Sequence, residues 1–311
     1  MNLKKLKKDY YQNKLVKEEY ITKMHNIHQI LFEYSEFLKD TDIKTIEITD
    51  GTVIMTSRES EIKVLCDPDD HRNIPLEILN FGTYEKEEMD MVLKLMKKGS
   101  YFYDIGANIG WFSINIAKNV ENVKIHAFEP IPKTYGFLKK NIELNKITNV
   151  SIHCFGFSDE EDELKFYYYP EGPGNASLNN LSERDSVREV FGKVKKLDNF
   201  VNNKPVDFIK CDVEGAELLV FKGGLNTIKK FKPIIFAELL RKWSKKFGYH
   251  PQDVVQMLIT IGYNCYIVDG KNLVEINKID EKTVQTNFLF LHQQKHKNIV
   301  DNFVKSMYNV E

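Results

Sequence analysis

The hydrophobic pattern of the first 80 residues changes period near residue 40. Up to about Lys39, apolar residues recur at three- and four-residue spacing, which predicts helices. From Ile43 to Leu65 the spacing becomes two, and Asp50 and Gly51 stand at the predicted turn of a hairpin, KTIEITDGTVIMTS. The segment EIKVLC follows as a third predicted strand. Together these residues predict a helix-plus-hairpin appendage.

A longer alternating pattern begins at Tyr84. The segment YEKEEMDMVLKLMKKG has acids in its first turn, lysines in its last turn and a glycine after them, so it predicts an amphipathic helix. Short apolar runs then alternate with helical segments. The predicted strands are Tyr101–Ile105, Val123–Phe128, Val150–Phe155, Val206–Cys211, Pro233–Glu238, Asn264–Val268 and Asn287–His292. The predicted helices between them are Trp111–Asn119, Lys133–Leu144, Ala216–Gly223 and Pro251–Gly262.

This alternation predicts an α/β fold, a Rossmann-like, doubly wound and mostly parallel sheet of seven strands with helices on both faces. Residues 1–80 are the predicted appendage and residues 81–311 the predicted α/β domain. Residues 163–200 interrupt the alternation after the third strand, with a strand-like LKFYYY, a loop-like PEGPGNASLNN and a charged stretch.

Composition excludes several classes of partner. Hydrophobic residues make up 42% of the 311 residues and aromatic residues 12%, which is enough for a sizeable core. With 44 basic and 45 acidic residues the net charge is −1, so we expect no general attraction to nucleic acid or to an anionic membrane. The four lysines of the initial MNLKKLKK are expected to be a solvated terminus.

The cysteines and the apolar runs indicate where the chain resides. Four cysteines are widely spaced, without a second thiol or histidine nearby, which predicts neither disulfides nor a structural zinc site. No apolar run approaches the length of a membrane span, and the lysine-rich start lacks the apolar segment of a signal peptide. We therefore expect a cytoplasmic protein without a membrane span.

Carboxylates follow five consecutive predicted strands. A single acid at such a position is often a helix cap or a solvated loop residue, but capping does not require an acid at every strand end. Because ligands of doubly wound sheets bind beyond the carboxyl ends of the strands, the repetition predicts a site there. The residues at these strand ends are Asp104, Glu129, Ser158 with Asp159, Asp212 with Glu214, and Glu238.

The turn after the first strand, DIGANIG, is a poor match to a dinucleotide turn. Asn108 stands where a second glycine would let the backbone approach a pyrophosphate, and Asp104 would repel that group. A cofactor without phosphate, with hydroxyl, ammonium and sulfonium groups, suits these residues better. S-adenosylmethionine is such a cofactor, and Glu129 lies at about the offset of a ribose-binding acid in these folds.

Several segments together resemble the FkbM-type family of class I S-adenosylmethionine-dependent methyltransferases. The resemblance covers about Tyr84 to Leu291 and leaves out the first 80 residues or so. It is carried, in the family's order and spacing, by YDIGANIGWFS, HAFEPIPKTYGFLKKNIELN, GFSDEEDELKF, KKLDNFV, VDFIKCDVEGAELLVFKGG and KPIIFAEL.

The resemblance implies a role for each matching residue. Glu129 is similar to the acid that holds the ribose hydroxyls, with Pro130 beside it, and Ser158 and Asp159 are similar to the adenine-side contact. Glu85 resembles a position near the amino-acid end of the cofactor, although a first-turn glutamate that stabilises its helix is an equal alternative. The first cofactor-binding motif is represented by Asp104, Gly106, Asn108 and Gly110.

The methyl-transfer site is expected beside the fourth and fifth strands. Asp212 or Glu214 is the candidate to orient or deprotonate the acceptor, and Glu238 is the candidate to support it. Glu214 also fits the role of a helix cap. The acids lack the spacing of a cation-binding loop, so no metal is predicted.

Other candidate residues outside the strand ends each have a structural interpretation as an alternative to a functional one. In class I enzymes an insertion at the position of Tyr167 to Tyr169 often faces the acceptor, and tyrosines suit stacking on sugars, but an edge strand with a mobile loop is an equal interpretation. His250 is more typical of a helix cap than of a base. His126 and His153 lie within predicted strands and are expected in the core.

The sequence thus favours an S-adenosylmethionine-dependent O-methyltransferase, with a sugar hydroxyl in a glycan or glycosylated metabolite as acceptor. An NAD-dependent oxidoreductase and a non-catalytic assembly protein are the alternatives. The N-terminal region is a candidate surface for a homodimer.

Overall fold

The computed structural model describes residues 2–180 and 186–304, and at residues 173–175 the backbone alone. The N-terminal segment forms three helices and a three-stranded antiparallel sheet, as its periodicity predicts, and then a fourth helix that was not predicted. Asp50 and Gly51, both with positive φ, form the predicted hairpin turn. Its elements are α1 (Leu3–Tyr11), α2 (Lys17–His28), α3 (Ile30–Phe37), β1 (Ile43–Thr49), β2 (Thr52–Ser57), β3 (Lys63–Leu65) and α4 (Ile74–Phe81).

The following segment alternates helix and strand. Helix α5 (Lys86–Leu95) leads into the first strand, and its first-turn acids and its last-turn lysine favour the helix dipole. The remaining elements of this half are β4 (Tyr101–Ile105), α6 (Trp111–Asn119), β5 (Lys124–Phe128), α7 (Pro132–Leu144) and β6 (Val150–His153).

The predicted interruption is a small sheet of its own, in the order β7-β10-β8-β9. The predicted strand LKFYYY is confirmed, but most of the predicted loop PEGPGNASLNN is a strand. Residues 181–185 of the predicted charged stretch lie outside the described residues. The strands are β7 (Gly156–Phe157), β8 (Asp162–Tyr169), β9 (Gly172–Ser177) and β10 (Arg188–Lys195).

The last third of the chain completes the main sheet. Helix α12 begins with a capping box in which His250 accepts from Gln252 N–H and Asp253 accepts from His250 N–H, so the interpretation of His250 as a cap is confirmed. The elements are α8 (Leu197–Val201), β11 (Phe208–Cys211), α9 (Glu217–Gly223), α10 (Leu225–Phe231), β12 (Ile234–Glu238), α11 (Arg241–Ser244), α12 (Pro251–Ile259), β13 (Tyr263–Asp269), β14 (Asn272–Ile276), β15 (Asn287–His292) and α13 (Lys297–Phe303).

The main sheet has the order β14-β13-β15-β12-β11-β4-β5-β6. Strand β15 runs antiparallel to its two neighbours, while β12, β11, β4, β5 and β6 are parallel. The predicted doubly wound, mostly parallel fold is confirmed, but the sheet has eight strands and not seven. The extra strand, β14, folds back on β13 at one edge through a tight turn at Gly270.

Apolar residues pack on both faces of this sheet. On one face, Phe102 and Ile125 belong to the same cluster as Ile43 and Val64 of the N-terminal sheet. On the other face, Tyr103 and Ile209 pack with residues of α9 and α12. Among the described residues, no helix is both long and apolar enough to cross a bilayer. After β4 the chain adds β5 and β6 on one side of it, and it later returns to place β11 on the other side. The carboxyl ends of β4 and β11 therefore flank a crevice.

Two asparagines of α7 attach the N-terminal sheet to the main sheet. Asn141 accepts from Leu65 N–H and donates to the carbonyl of Ile109, each at 2.9 Å, and it is fully buried. Asn145 exchanges hydrogen bonds with both backbone groups of Lys63. The N-terminal sheet is thereby fixed beside the turn that follows β4.

We predict that Asn141→Ala lowers the free energy of unfolding by about 2–4 kcal/mol, because it removes the hydrogen bonds of this buried side chain to two backbone groups, one buried and one partly buried. Urea unfolding monitored by circular dichroism measures this change. Asn302→Ala, at an exposed position of α13, is the control and should stay within about 0.5 kcal/mol of the parent. Equal stability of the two variants would contradict the proposed attachment.

Candidate active site

Two cavities lie along the carboxyl edge of the main sheet and meet at Asn108, Asp212 and Glu214. The first is a narrow cavity of about 50 Å³ with a largely apolar lining, and the second has a volume of about 350 Å³. Of the predicted site residues, Gly106, Glu129 and Pro130 line the first cavity, and Glu85 and Glu238 line the second. Eight of the predicted cofactor and acceptor residues, these five together with Asn108, Asp212 and Glu214, therefore border one continuous crevice.

The turns after β4 and β11 are in direct contact. Gly106 has φ +77°, and a Cβ atom there would lie 1.8 Å from the carbonyl oxygen of Asp212, so only glycine fits. Asn108 has φ 49° and exposes its backbone N–H to Glu129. Gly110 lines neither cavity, because it packs against Leu138, whose Cδ1 atom would lie 2.7 Å from an added Cβ.

Asp104 lies beneath the turn and not in a cavity. Its carboxylate is fully buried, accepts from the Ser113 hydroxyl at 2.6 Å and lies 3.8 Å from Lys210 Nζ. Burial raises the pKa of Asp104, against the opposing effects of Lys210 and Ser113. Its position is that of a support for the turn.

Glu129 combines burial with two backbone hydrogen bonds. Its oxygens accept from Asn108 N–H at 3.1 Å and from Ile131 N–H at 2.9 Å. Burial raises the pKa of Glu129 to about 7, although both N–H groups oppose the shift. Each oxygen keeps a lone pair for a ligand hydroxyl in the first cavity.

At the third strand end, the residues that line the first cavity lie two positions before the predicted ones. Ser158 and Asp159 line neither cavity, whereas Gly156 and Phe157 line the first. Ser158 is buried against α9, where a Cβ at Gly223 would lie 2.0 Å from its carbonyl oxygen. The chain bends into the short strand β7 after β6, which turns these two residues away.

The insertion supplies an apolar wall that the sequence analysis missed. Phe166 of β8 and Val194 of β10 line the first cavity together with Ala176 and Leu178. Tyr167, Tyr168 and Tyr169 line neither described cavity, so their stacking on an acceptor stays a prediction. The alternation of apolar residues along LKFYYY was the signal that one face of this strand is covered.

Three predicted catalytic carboxylates converge where the cavities meet. Asp212, Glu214 and Glu238 each place an oxygen within 4.8 Å of the others. Burial and the charge of Asp212 raise the pKa of Glu214 and of Glu238 well above the usual range. Glu85 lies in the same cavity, and burial, with Asp212 second, raises its pKa to about 7. Burial and like charge thus favour the protonated forms of Glu85, Glu214 and Glu238.

Glu217, and not Glu214, stabilises the turn after β11. The buried Glu217 carboxylate accepts from the N–H groups of Val213 and Gly215 at 3.1 and 3.0 Å. Glu214 has a left-handed backbone, with φ 53°, and one of its side-chain oxygens is buried without a hydrogen-bond partner. The alternative role of Glu214 as a cap is therefore not supported, and its side chain faces the junction of the cavities.

The side chain of Glu85 caps no backbone N–H, although the residue precedes α5. It has φ 43° and accepts from Asn287 Nδ2 at 3.4 Å. Of its two predicted roles, the position in the second cavity favours contact with a ligand.

The N-terminal segment forms part of the second cavity, which the sequence analysis did not anticipate. Asp70, Arg72, Ile74 and Glu77 line it opposite Trp243. The backbone N–H of His71 donates to the carbonyl of Glu171 in the insertion at 2.9 Å. One wall of the cavity thus comes from two segments outside the main sheet.

Lys210 is a further residue that the sequence analysis missed. Its ammonium group donates to Asp212 Oδ2 and to the carbonyl of Gly106, each at 3.0 Å. Burial lowers the pKa of Lys210, but Asp212 and Asp104 outweigh burial and raise it. Asp212 therefore has a counter-charge within the protein, and the absence of a metal stays a prediction.

A family model described as the methyltransferase FkbM domain matches residues 104–265, more than half of the chain. Methyltransferase 1 of Beauveria bassiana is 33% identical over 144 residues, covering 40% of this chain and 58% of that protein. The 31-O-demethyl-FK506 methyltransferase FkbM of Streptomyces tacrolimicus is 30% identical over 158 residues, covering 41% and 60%.

The hexuronic acid methyltransferase AglP of Haloferax volcanii is 25% identical over 177 residues, covering 56% of this chain and 67% of that protein. The chain spans about three fifths of the length of the first two relatives. The matched residues 104–265 begin at the turn support Asp104 and include Glu129, Asp212 and Glu238. On the strength of this match, the chain belongs to the FkbM methyltransferase domain family.

Proposed function

We propose that the protein is an S-adenosylmethionine-dependent methyltransferase that methylates a hydroxyl group. The crevice between β4 and β11 supports this proposal, since it joins a cavity suited to a nucleoside with a cavity rich in carboxylates. Asn108, Asp212 and Glu214 belong to both, so the junction is the place where cofactor and acceptor would meet.

The lining of the first cavity fits the cofactor. Glu129 offers lone pairs to ribose hydroxyls, and Phe157 and Phe166 offer apolar surface to adenine. Gly106 lets the backbone approach closely without a side chain. When bound, S-adenosylmethionine supplies a methyl group on a sulfonium centre, whose charge the carboxylates of the junction tolerate.

The protein's own part in the reaction is to place the acceptor and to take its proton. Asp212 and Glu214 lie at the junction of the cavities, and Glu238 lies in the second cavity beside them. One carboxylate would accept the hydroxyl proton, and the protonated neighbours would donate hydrogen bonds to acceptor oxygens. This division of roles favours oxygen as the atom that is methylated.

We propose a sugar hydroxyl, in a glycan or a glycosylated metabolite, as the acceptor. The polar lining and the side chain of Trp243 in the second cavity are typical of sugar sites, and the relative AglP acts on a hexuronic acid. The four cysteines are unpaired, which supports a cytoplasmic location. An NAD-dependent oxidoreductase gains no support from the turn at Asn108.

We further propose that residues 1–80 are an appendage to a methyltransferase domain of residues 81–311, and that α1 to α3 form a homodimer interface. Most of the large apolar side chains left exposed among the described residues lie between Leu3 and Phe37. Helices α2 and α3 contain no buried residue. Helix α1 carries four lysines and α3 carries Glu33 and Glu36, so a two-fold axis that places α1 against α3 pairs opposite charges.

We predict that calorimetry detects binding of S-adenosylmethionine and none of NAD. Glu129→Ala should weaken S-adenosylmethionine binding by about 1.5–3 kcal/mol, because it removes charged hydrogen bonds to the ribose. Glu143→Ala, which removes an exposed acid, is the control and should bind like the parent. Binding of NAD without S-adenosylmethionine would refute the proposed function.

We predict that Asp212→Asn keeps the affinity for S-adenosylmethionine within a few-fold and lowers kcat by roughly 10²–10⁴-fold, since the amide does not accept a proton. Methyl transfer to a panel of free sugars and glycosides, followed by mass spectrometry, measures turnover. Asp162→Asn, at an exposed position in the insertion, is the matched control. Turnover unchanged by Asp212→Asn would remove Asp212 from the proposed catalytic group.

We predict that the protein sediments as a dimer and that Phe32→Glu converts it to a monomer, because a charge replaces an apolar side chain that is 69% exposed. Ile48→Glu is the control, since Ile48 is 71% exposed but lies on β1, away from the helices. A monomeric parent, or a dimer that survives Phe32→Glu, would contradict this interface.

A further inference from the structure

We propose that Lys210 is a positioning residue that pairs with Asp212 and holds its carboxylate toward the acceptor, and thereby selects Asp212 from the carboxylates of the site as the proton acceptor. This inference rests on the proposed function. It goes beyond that function because it assigns one base where Asp212 and Glu214 are otherwise alternatives.

Lys210 lies where its ammonium group contacts both turns of the crevice. It precedes Asp212 by two residues in β11, and its ammonium group lies between the two turns that flank the crevice. It donates to Gly106 of the turn after β4 and to Asp212 of the turn after β11, each at 3.0 Å. Among the described residues, Lys210 is the only lysine or arginine that is buried.

The burial of Lys210 makes its charge effective. Its side chain is 7% exposed and lies 5.5 Å from the centre of the Phe112 ring, so little water screens it. Asp212 is half-buried, with 31% of its side chain exposed toward the crevice. A lysine in this position stabilises the nearest carboxylate most, and Asp212 is the carboxylate that it contacts directly.

Glu214 and Glu238 lack this contact, and Asp104, which lies 3.8 Å from Lys210 Nζ, is buried beneath the turn and lines neither cavity. Glu214 and Glu238 make no ion pair with Lys210, and burial among like charges raises their pKa values. These shifts favour the protonated forms of Glu214 and Glu238. The groups that face Asp212 from the surrounding elements are Tyr84, Glu85, Asp104, Glu129, Lys210, Glu214, Glu217 and Glu238.

The resulting step is a simple proton transfer. The proton leaves the acceptor hydroxyl for the Asp212 carboxylate, and the negative charge moves from that carboxylate to the acceptor oxygen. In their protonated forms, Glu214 and Glu238 donate hydrogen bonds and do not accept the proton of the acceptor hydroxyl. Lys210 itself takes no part in the transfer, and its contact with Gly106 keeps the two turns in register.

The test compares Lys210→Met, Lys210→Gln and Lys210→Arg. Both neutral variants remove the charge, but glutamine can still donate to the Gly106 carbonyl, so the pair separates charge from packing. We expect the acid limb of kcat against pH to move upward by about 1–3 units in both, because the ionised carboxylate has lost its partner. At pH values below the shifted limb, kcat of the two neutral variants should be at least about tenfold lower than that of the parent. Lys210→Arg should recover most of the parent kcat.

An infrared measurement tests the same inference without cofactor or acceptor. The carbonyl band of protonated carboxyl groups at neutral pH should grow in Lys210→Gln, and most of that growth should be absent when Lys210→Gln is made in, and compared with, an Asp212→Asn parent. Lys229→Met, which removes an exposed lysine, should change neither the band nor the pH profile. Thermal unfolding identifies any variant that does not fold. If Lys210→Met does not fold, Lys210→Gln alone tests the loss of the charge.

The outcomes separate this inference from the proposed function. An unchanged infrared band in Lys210→Gln refutes the role of Lys210, whether or not methyl transfer is observed. An unmoved pH limb with a lowered kcat refutes it as well, and indicates that Lys210 only supports the turns. A parent protein that fails to bind S-adenosylmethionine refutes the proposed function, while the infrared result still decides the effect of Lys210 on Asp212.

Discussion

The contact between the turns after β4 and β11 fixes the rest of the site. Gly106 lies against the carbonyl oxygen of Asp212, and the ammonium group of Lys210 joins the two turns by donating to both. The turn after β4 borders the first cavity, and the turn after β11 carries carboxylates of the second cavity. These contacts couple the geometry of one half of the crevice to that of the other half.

This arrangement concentrates negative charge at one edge of the sheet. Buried carboxylates cost free energy unless they are paired, hydrogen-bonded or protonated, and the site uses all three solutions. Asp212 is paired with Lys210, Glu129 and Glu217 accept backbone N–H groups, and burial with the charge of Asp212 raises the pKa of Glu238, which favours its protonated form. The different solutions give chemically different groups within a few ångströms, which suits both proton transfer and hydrogen bonding to an acceptor.

The local pattern of the chain predicts the scaffold well. Period and turn residues identified the hairpin at Asp50, all seven predicted strands of the main sheet and the cap at His250, because these features depend on neighbouring residues. Strand ends likewise predicted Glu129 and Asp212, since parallel strands bring their carboxyl ends to one edge. The eighth strand was missed because Asn272–Ile276 is a short edge segment whose pairing depends on a turn at Gly270.

The features that escaped prediction are those set by contacts distant in sequence. Ser158 and Asp159 were predicted to contact the cofactor because they follow a strand, but the bend into β7 brings Gly156 and Phe157, and not these two residues, to the first cavity. Arg72 and Glu77 line the second cavity only because α7 holds the N-terminal sheet nearby. Lys210 sits within an apolar strand, where its role becomes visible only when Asp104 and Gly106 are placed beside it.

The hydrogen bond between His71 and Glu171 has a consequence for how such a protein diversifies. It joins the N-terminal segment to the insertion, and both segments lie outside the strands that form the cofactor crevice. Substitutions, insertions or deletions in these two segments can reshape the wall around the acceptor while Gly106, Glu129 and Lys210 remain untouched. The segments that can vary are thus separate from the residues that join the two turns. The shape of the second cavity can therefore change while the contacts between the turns are kept.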